Sequence, residues 1–175
     1  MKTIELNLYT FKELSKEAQQ KAIEDNRYFN VDHEWWNCTY DDASTIGLEV
    51  TGFDLDRDKH CTGKLTQSGN ETAFLILDNH GDECDTYKLA KTFDNEWSKL
   101  VKKYSDGVTL DKVAEEREYD FDVEADTLEH KFLKDLLNLY ANMLQKEYEY
   151  LLSDESVKQS LIANEYDFLE TGKRY

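Results

Sequence analysis

Glu118-Tyr119-Asp120-Phe121-Asp122-Val123-Glu124-Ala125-Asp126 alternates carboxylates with nonpolar side chains without a break. Successive side chains of an extended strand point to opposite faces, so a strand here would place the acids on one face about 6.6–6.8 Å apart. Tyr119, Phe121, Val123 and Ala125 would fill the other face. Carboxylates at that spacing repel by about 0.6 kcal/mol per neighbouring pair in water, and several-fold more beside a low-dielectric surface. A chain keeps such a row where solvent screens it or where something positive binds it. The expected partner-binding residues are therefore Glu118, Asp120, Asp122, Glu124 and Asp126, joined by a shorter acidic series at Asp54, Asp56 and Asp58.

The overall charge agrees with a positively charged partner. The chain carries 38 acids against 21 bases, a formal net charge of −17. Up to residue 110 there are 21 acids and 13 bases; beyond it there are 17 and 8, so the last 65 residues hold about twice the negative charge density. Nucleic-acid binding by counterion release needs clustered Lys or Arg. Only Lys99-Leu-Val-Lys102-Lys103 concentrates bases, so direct nucleic-acid binding is not expected, whereas a basic protein partner is. Adaptation to high salt would also give an acidic chain, but Lys outnumbers Arg 17 to 4, against the usual depletion of lysine. An acidic surface that serves solubility alone is the plainer alternative.

The 39% hydrophobic content supports a packed core, and 175 residues suit one acidic domain over 1–175. The opening Met-Lys-Thr-Ile-Glu-Leu has no apolar stretch of signal-peptide length, and no apolar run approaches the length of a membrane span. Cys38, Cys61 and Cys84 form no disulfide framework, which suits a reducing cytoplasm.

Hydrophobic spacing predicts an α+β fold. Ile4, Leu6 and Leu8 alternate as a strand near 3–9, and Ser15 caps a helix that buries Ala18 and Ala22. A second helix opens near Asp32, draws on Trp35, Trp36, Tyr40, Ala43 and Ile46, and ends at Gly47 in a left-handed cap. Strands near 48–57 and 60–66 form a hairpin, and the apolar phase slips at Gly52 as at a β-bulge. Helices follow over 70–80 and 85–104, the latter with Tyr87, Ala90, Phe93, Trp97, Leu100, Val101 and Tyr104 on one stripe before Gly107. The longest helix is expected near 127–152, with Phe132, Leu136, Tyr140, Met143 and Leu144 spread over a wide buried arc. A last helix starts at Ser153, and a terminal strand lies near 165–170. The expected architecture is a small, mostly antiparallel sheet covered by five or six helices.

No catalytic residue is expected. There is no Gly-x-Ser-x-Gly elbow, phosphate-binding loop or dinucleotide fingerprint. The neighbours His33/Cys38, His60/Cys61 and His80/Cys84 do not make a four-ligand zinc set. Asp54-Leu-Asp56-Arg-Asp58 opens like a calcium loop, but Lys59 stands where the turn needs glycine and Leu65 where the bidentate glutamate belongs. No metal and no cofactor are therefore expected. Trp35-Trp36 reads as core, with a partner-binding surface on the partly exposed ring as the alternative.

Four stretches together carry a family resemblance: Gly52-Phe-Asp-Leu-Asp-Arg57, Cys61-x-Gly63, Asn79-His-Gly-Asp-Glu-Cys-Asp-Thr-Tyr87 and Met143-Leu-Gln-Lys-Glu-Tyr-Glu-Tyr150. They resemble a group of small bacterial and phage-encoded proteins labelled "antitoxin of toxin–antitoxin stability system". The resemblance spans most of the chain and implies a bacterial cytoplasmic setting and a phage or mobile-element origin. It supplies no functional residues to transfer. Unlike ordinary antitoxins, the chain shows neither a basic DNA-binding module nor a disordered toxin-binding tail. Charge and resemblance together lead to the expectation of a non-enzymatic inhibitor of a basic nucleic-acid-handling protein, either a toxin nuclease or a host defence effector. Its acid rows would mimic a phosphate backbone. A phage accessory or structural protein and an enzyme are the alternatives. The incomplete ligand patterns make one expectation directly measurable: purified protein should carry no stoichiometric zinc or calcium by elemental analysis and should keep its circular dichroism in EDTA.

Overall fold

The computed structural model describes residues 5–105 and 113–175. In chain order the elements are β1 (Tyr9–Thr10), α1 (Lys16–Asp25), α2 (Asn37–Thr45), β2 (Leu48–Asp54), β3 (His60–Leu65), α3 (Gly69–Asn79), α4 (Asp85–Ser105), α5 (Val113–Leu151), α6 (Asp154–Ala163) and β4 (Asp167–Phe168). Short 3-10 turns occupy Phe11–Glu13 and Phe29–Val31. The fold is α+β, as expected. Its strands form two separate antiparallel ribbons, β1 with β4 and β2 with β3, rather than one sheet. No helix among the described residues is long and apolar enough to cross a membrane. The chain divides into two compact units, Met1–Trp35 with Gln145–Tyr175, and Trp36–Leu144.

The unit made from the two ends of the chain is organised by caps and a small apolar core. Ser15 accepts a hydrogen bond from the Ala18 amide at 3.2 Å, which starts α1, and Ala18, Ala22 and Ile23 turn inward. Ser153 does the same for α6 through the Ser156 amide. Phe11, Leu14, Val157, Leu161 and Phe168 complete the buried cluster, with Phe11 edge-on to Phe168 at 6.0 Å. The strand expected near 3–9 is displaced: β1 begins at Tyr9, Leu6 and Leu8 are exposed, and Thr3 and Ile4 lie outside the described residues. Pairing of Tyr9 with Phe168 and Thr10 with Asp167 limits the ribbon to the residues β4 can match. Buried Asn30 donates to the Leu151 carbonyl at 3.1 Å and to Ser156 Oγ at 3.0 Å, and Arg27 pairs with Asp154.

The other unit holds the hairpin and the α4–α5 pair. The register runs from Leu48↔Leu65 to Val50↔Gly63, then resumes at Gly52↔Thr62, so Thr51 is the extra residue of the expected bulge. The slip sets Phe53 opposite buried Cys61. Burial pushes the Cys61 thiol up to about 11, as for a small core hydrophobe. Gly47, at φ 77°, closes α2 as anticipated. The start of α2 moves from Asp32 to Asn37, leaving Trp35 and Trp36 half-buried before it. Ser68 and Glu71 form a capping box at the start of α3. On α4, Ala90, Phe93 and Leu100 are buried, whereas Val101 points to solvent.

The main correction concerns 118–126, which is not a strand. It belongs to α5, which begins 14 residues before the expected 127. A period of two and a period of 3.6 coincide at i and i+4, so Phe121 and Ala125 fit either pattern. Continued through Leu128, Phe132, Leu136, Tyr140 and Leu144, their spacing is helical, and it extends the buried stripe of α5 backward. An isolated strand needs a neighbour for its amides and carbonyls, whereas a helix satisfies them internally. The buried arc is also narrower than expected: Met143 is exposed.

Gly63 is tightly enclosed, between the paired strand β2 and Leu137 of α5. A Cβ there would overlap the Glu49 carbonyl oxygen and lie 3.1 Å from Leu137 Cδ2. The carbonyl belongs to the paired strand and cannot withdraw without opening the ladder. Gly63→Ala should therefore destabilise the protein by about 1–3 kcal/mol, read as a lower urea midpoint.

Candidate interaction face on the long helix

On a helix, neighbouring residues are rotated by about 100°, so the five acids of 118–126 do not share a face. Glu118, Asp122 and Asp126 follow one another at i, i+4 and i+8, with an axial rise of about 6 Å per step. Asp120 and Glu124 lie on a different side. The expected single row is thus replaced by a stripe of three and a separate pair.

The same rotation divides the nonpolar residues. Phe121 and Ala125 turn inward, Ala125 being buried. Tyr119 is 70% exposed and Val123 49% exposed, directly opposite that buried side. The result is a helix face on which an exposed tyrosine and valine sit beside the stripe Glu118, Asp122 and Asp126. All three acids are exposed, as is Asp120 on the far flank. Like charges at i and i+4 destabilise a helix by a few tenths of a kcal/mol, roughly 0.2–0.5 per pair. His130 lies beside the last of them, its Nδ1 3.2 Å from Asp126 Oδ1.

Glu124 is engaged within the fold. Lys103 donates to its two oxygens at 2.6 and 2.8 Å, and the Tyr104 hydroxyl donates at 2.9 Å. The Lys103 ammonium, and next the Tyr104 hydroxyl, hold the Glu124 carboxyl below the ordinary carboxylate range. Tyr104 also meets Phe121 edge-on at 5.6 Å, so this contact joins α4 to the N-terminal half of α5. Nearby, Lys131 and Glu96 approach to 3.5 Å across a cleft of about 430 Å³ floored by Leu100 and Leu128. The cleft presents paired charges over an apolar floor.

Asp54, Asp56 and Asp58 do not form a second row. β2 ends at Asp54, and the other two lie in the turn before β3. Asp54 Oδ1 accepts from the Asp56 amide at 2.8 Å, so one carboxylate shapes the turn itself. All three are exposed.

A second polar constellation was not anticipated. The Tyr140 hydroxyl donates to Asp42 Oδ2 at 2.7 Å, His80 Nδ1 and Thr86 Oγ1 are 2.6 Å apart, and His80 Nε2 is 3.8 Å from Asp42 Oδ1. Burial, reinforced by the Asp42 carboxylate, pushes the Tyr140 phenol strongly upward, so it stays a neutral donor. His80 Nε2 is buried and has no hydrogen-bond partner among the described residues. Thr86 and Tyr140 are buried, which encloses the hydroxyls of this group inside the fold. Asp42 and Tyr140 are 98 residues apart, so no local spacing could have announced them.

Among the described residues, no group of three or more His, Cys, Asp and Glu side chains is placed to hold a metal ion. Comparison of the chain with protein-family models, curated proteins and solved structures finds no match.

The Glu124 contact has a pH signature. A carboxyl whose folded pKa is depressed stabilises the fold fully above its unfolded value, and that contribution is lost as pH falls through the folded value. Urea midpoints of wild type and Glu124→Gln should therefore differ at neutral pH, with the variant lower, and converge in acid below the carboxylate range.

Proposed function

We propose that this protein is a non-enzymatic binding protein that engages and inhibits a basic, nucleic-acid-handling protein in the bacterial cytoplasm. The target class is a toxin nuclease or a host defence effector. The observation that carries this reading is the outward face of α5, where exposed Tyr119 and Val123 lie beside Glu118, Asp122 and Asp126. Exposed tyrosine is a common anchor of protein interfaces, and surrounding carboxylates steer a basic partner and select against acidic ones. The net charge of −17 extends that steering over the molecule. The resemblance to antitoxin-labelled proteins supports inhibition as the outcome of binding.

The helical arrangement alters the physical basis of recognition. A row of five evenly spaced carboxylates would have imitated successive phosphates. A stripe of three beside two apolar side chains combines electrostatic attraction with desolvated contact instead. Enclosure of Thr86 and Tyr140 favours a structural role for the Asp42–His80 group over a catalytic one.

The test replaces Glu118→Gln, Asp120→Asn, Asp122→Asn and Asp126→Asn together. Wild-type protein immobilised against bacterial lysate should retain a basic nuclease or effector that elutes as salt rises. The fourfold variant should associate with that purified protein about tenfold more slowly or worse, with a smaller change in dissociation. It should also fail to inhibit the protein's nucleic-acid processing. Unchanged association and inhibition would reduce the acidity of this face to a solvated surface.

A further inference from the structure

The third helix has the same design on a smaller scale. Gly69, Thr72, Ala73 and Ile76 are its buried side. A helix that is apolar on its other sides too is ordinarily covered, yet Phe74 is 68% exposed, and Leu75 and Leu77 are half-buried beside it. Phe74 points away from the buried side, with Glu71 one turn before it and Asp78 one turn after it along the helix, both exposed. α3 contains no Lys or Arg. Phe74, Leu75 and Leu77, together with Glu71 and Asp94, border a surface hollow of about 480 Å³. None of the residues lining it is basic.

We propose that this Phe74 face is a second docking surface for the same basic partner, taking an apolar side chain flanked by Lys or Arg. The inference rests on the function proposed above and adds an apolar anchor to it. Charge complementarity selects the occupant. A hollow that sets Phe74, Leu75 and Leu77 beside Glu71 and Asp94 repels an acidic partner and gives a purely polar cation no gain from burying Phe74. A segment that pairs a leucine-like side chain with lysines satisfies both halves of the site. A second copy of this chain is disfavoured, because two such faces would bring the carboxylates of Glu71, Asp78 and Asp94 against those of the other copy. Phe74 and the α5 face belong to one compact unit, so a single partner reaching both would gain from effective concentration.

Two labelled probes separate the anchor from the charge: an amphipathic Lys/Leu peptide of about twenty residues, long enough to form a helix, and an oligolysine of equal charge. Fluorescence anisotropy should show Phe74→Ser weakening the Lys/Leu peptide about tenfold, the scale of an interface anchor, while leaving oligolysine unchanged. Phe74→Leu should retain most of the affinity. Asp78→Asn with Asp94→Asn should weaken both probes. Because Phe74 is exposed, Phe74→Ser should melt with wild type; if it does not, the Asp78/Asp94 variant and Phe74→Leu decide. A Lys/Leu affinity within twofold of wild type in Phe74→Ser would overturn the inference. So would a dimer in sedimentation equilibrium that Phe74→Ser converts to monomer, which would make the face a self-interface. Loss of the Phe74 effect while the α5 variant still impairs binding overturns only this inference. The reverse pattern overturns only the α5-based function.

Discussion

The stacking of Phe93 on Phe132, with ring centroids 4.3 Å apart, is the contact on which the 36–144 unit depends. It sets the rotation of α5 against α4, and a helix rotated as a rigid rod carries all its side chains with it. With Phe132 inward, Leu136, Tyr140 and Leu144 follow at four-residue intervals into the core, and Ala125 follows at seven. Trp97 continues the aromatic packing, stacked on Phe93 at 5.8 Å and edge-on to Phe121 at 6.2 Å. The outward placement of Tyr119 and Val123 is the geometric complement of this packing. The candidate interaction face is thus positioned by residues buried in the core.

Apolar packing has little directional preference and would tolerate sliding of one helix along another. The polar contacts supply direction. Tyr140 bonds Asp42 on α2, and the Gly69 amide donates to Glu129 at 2.9 Å, tying the first turn of α3 to α5. Lys103 and Tyr104 grip Glu124 near the far end of α4. The Tyr140 bond satisfies a hydroxyl that would cost free energy if left unpaired in the core, whereas the Lys103–Glu124 contact lies at the surface. Together these contacts link α2, α3 and α4 to defined positions along α5.

Negative charge is spread unevenly in its consequences. Acids that cap or pair, such as Glu71, Glu124 and Asp154, stabilise the elements they belong to. Glu118, Asp122 and Asp126 stand in a helical row of like charge, which costs the isolated helix a little stability. A fold tolerates that cost readily when hydrophobic burial along the same helix is large. The repulsion leaves the row available to a positive partner, and salt would screen it over a Debye length of about 8–10 Å.

Much of the architecture is legible in the amino-acid sequence. Ser15 and Ser153 mark helix starts through capping chemistry that acts within a few residues, and Gly47 ends α2 because a left-handed turn suits glycine. The bulge in the hairpin showed as a slip in apolar phase, since burial alternates strictly along a strand. The stretch 118–126 reads as a strand because its apolar residues alternate, and Phe121 and Ala125, four apart, fit strand and helix alike. What separates the two is whether a neighbouring strand exists to take the backbone hydrogen bonds, and that lies outside the stretch itself. The grouping of Asp42, His80, Thr86 and Tyr140, and the exposure of Phe74, likewise depend on which helix packs against which. Local chemistry determined the ends, caps and phase of the elements. Tertiary packing decided how they are rotated and therefore which side chains face solvent, because rotation is set by contacts between residues far apart in the chain.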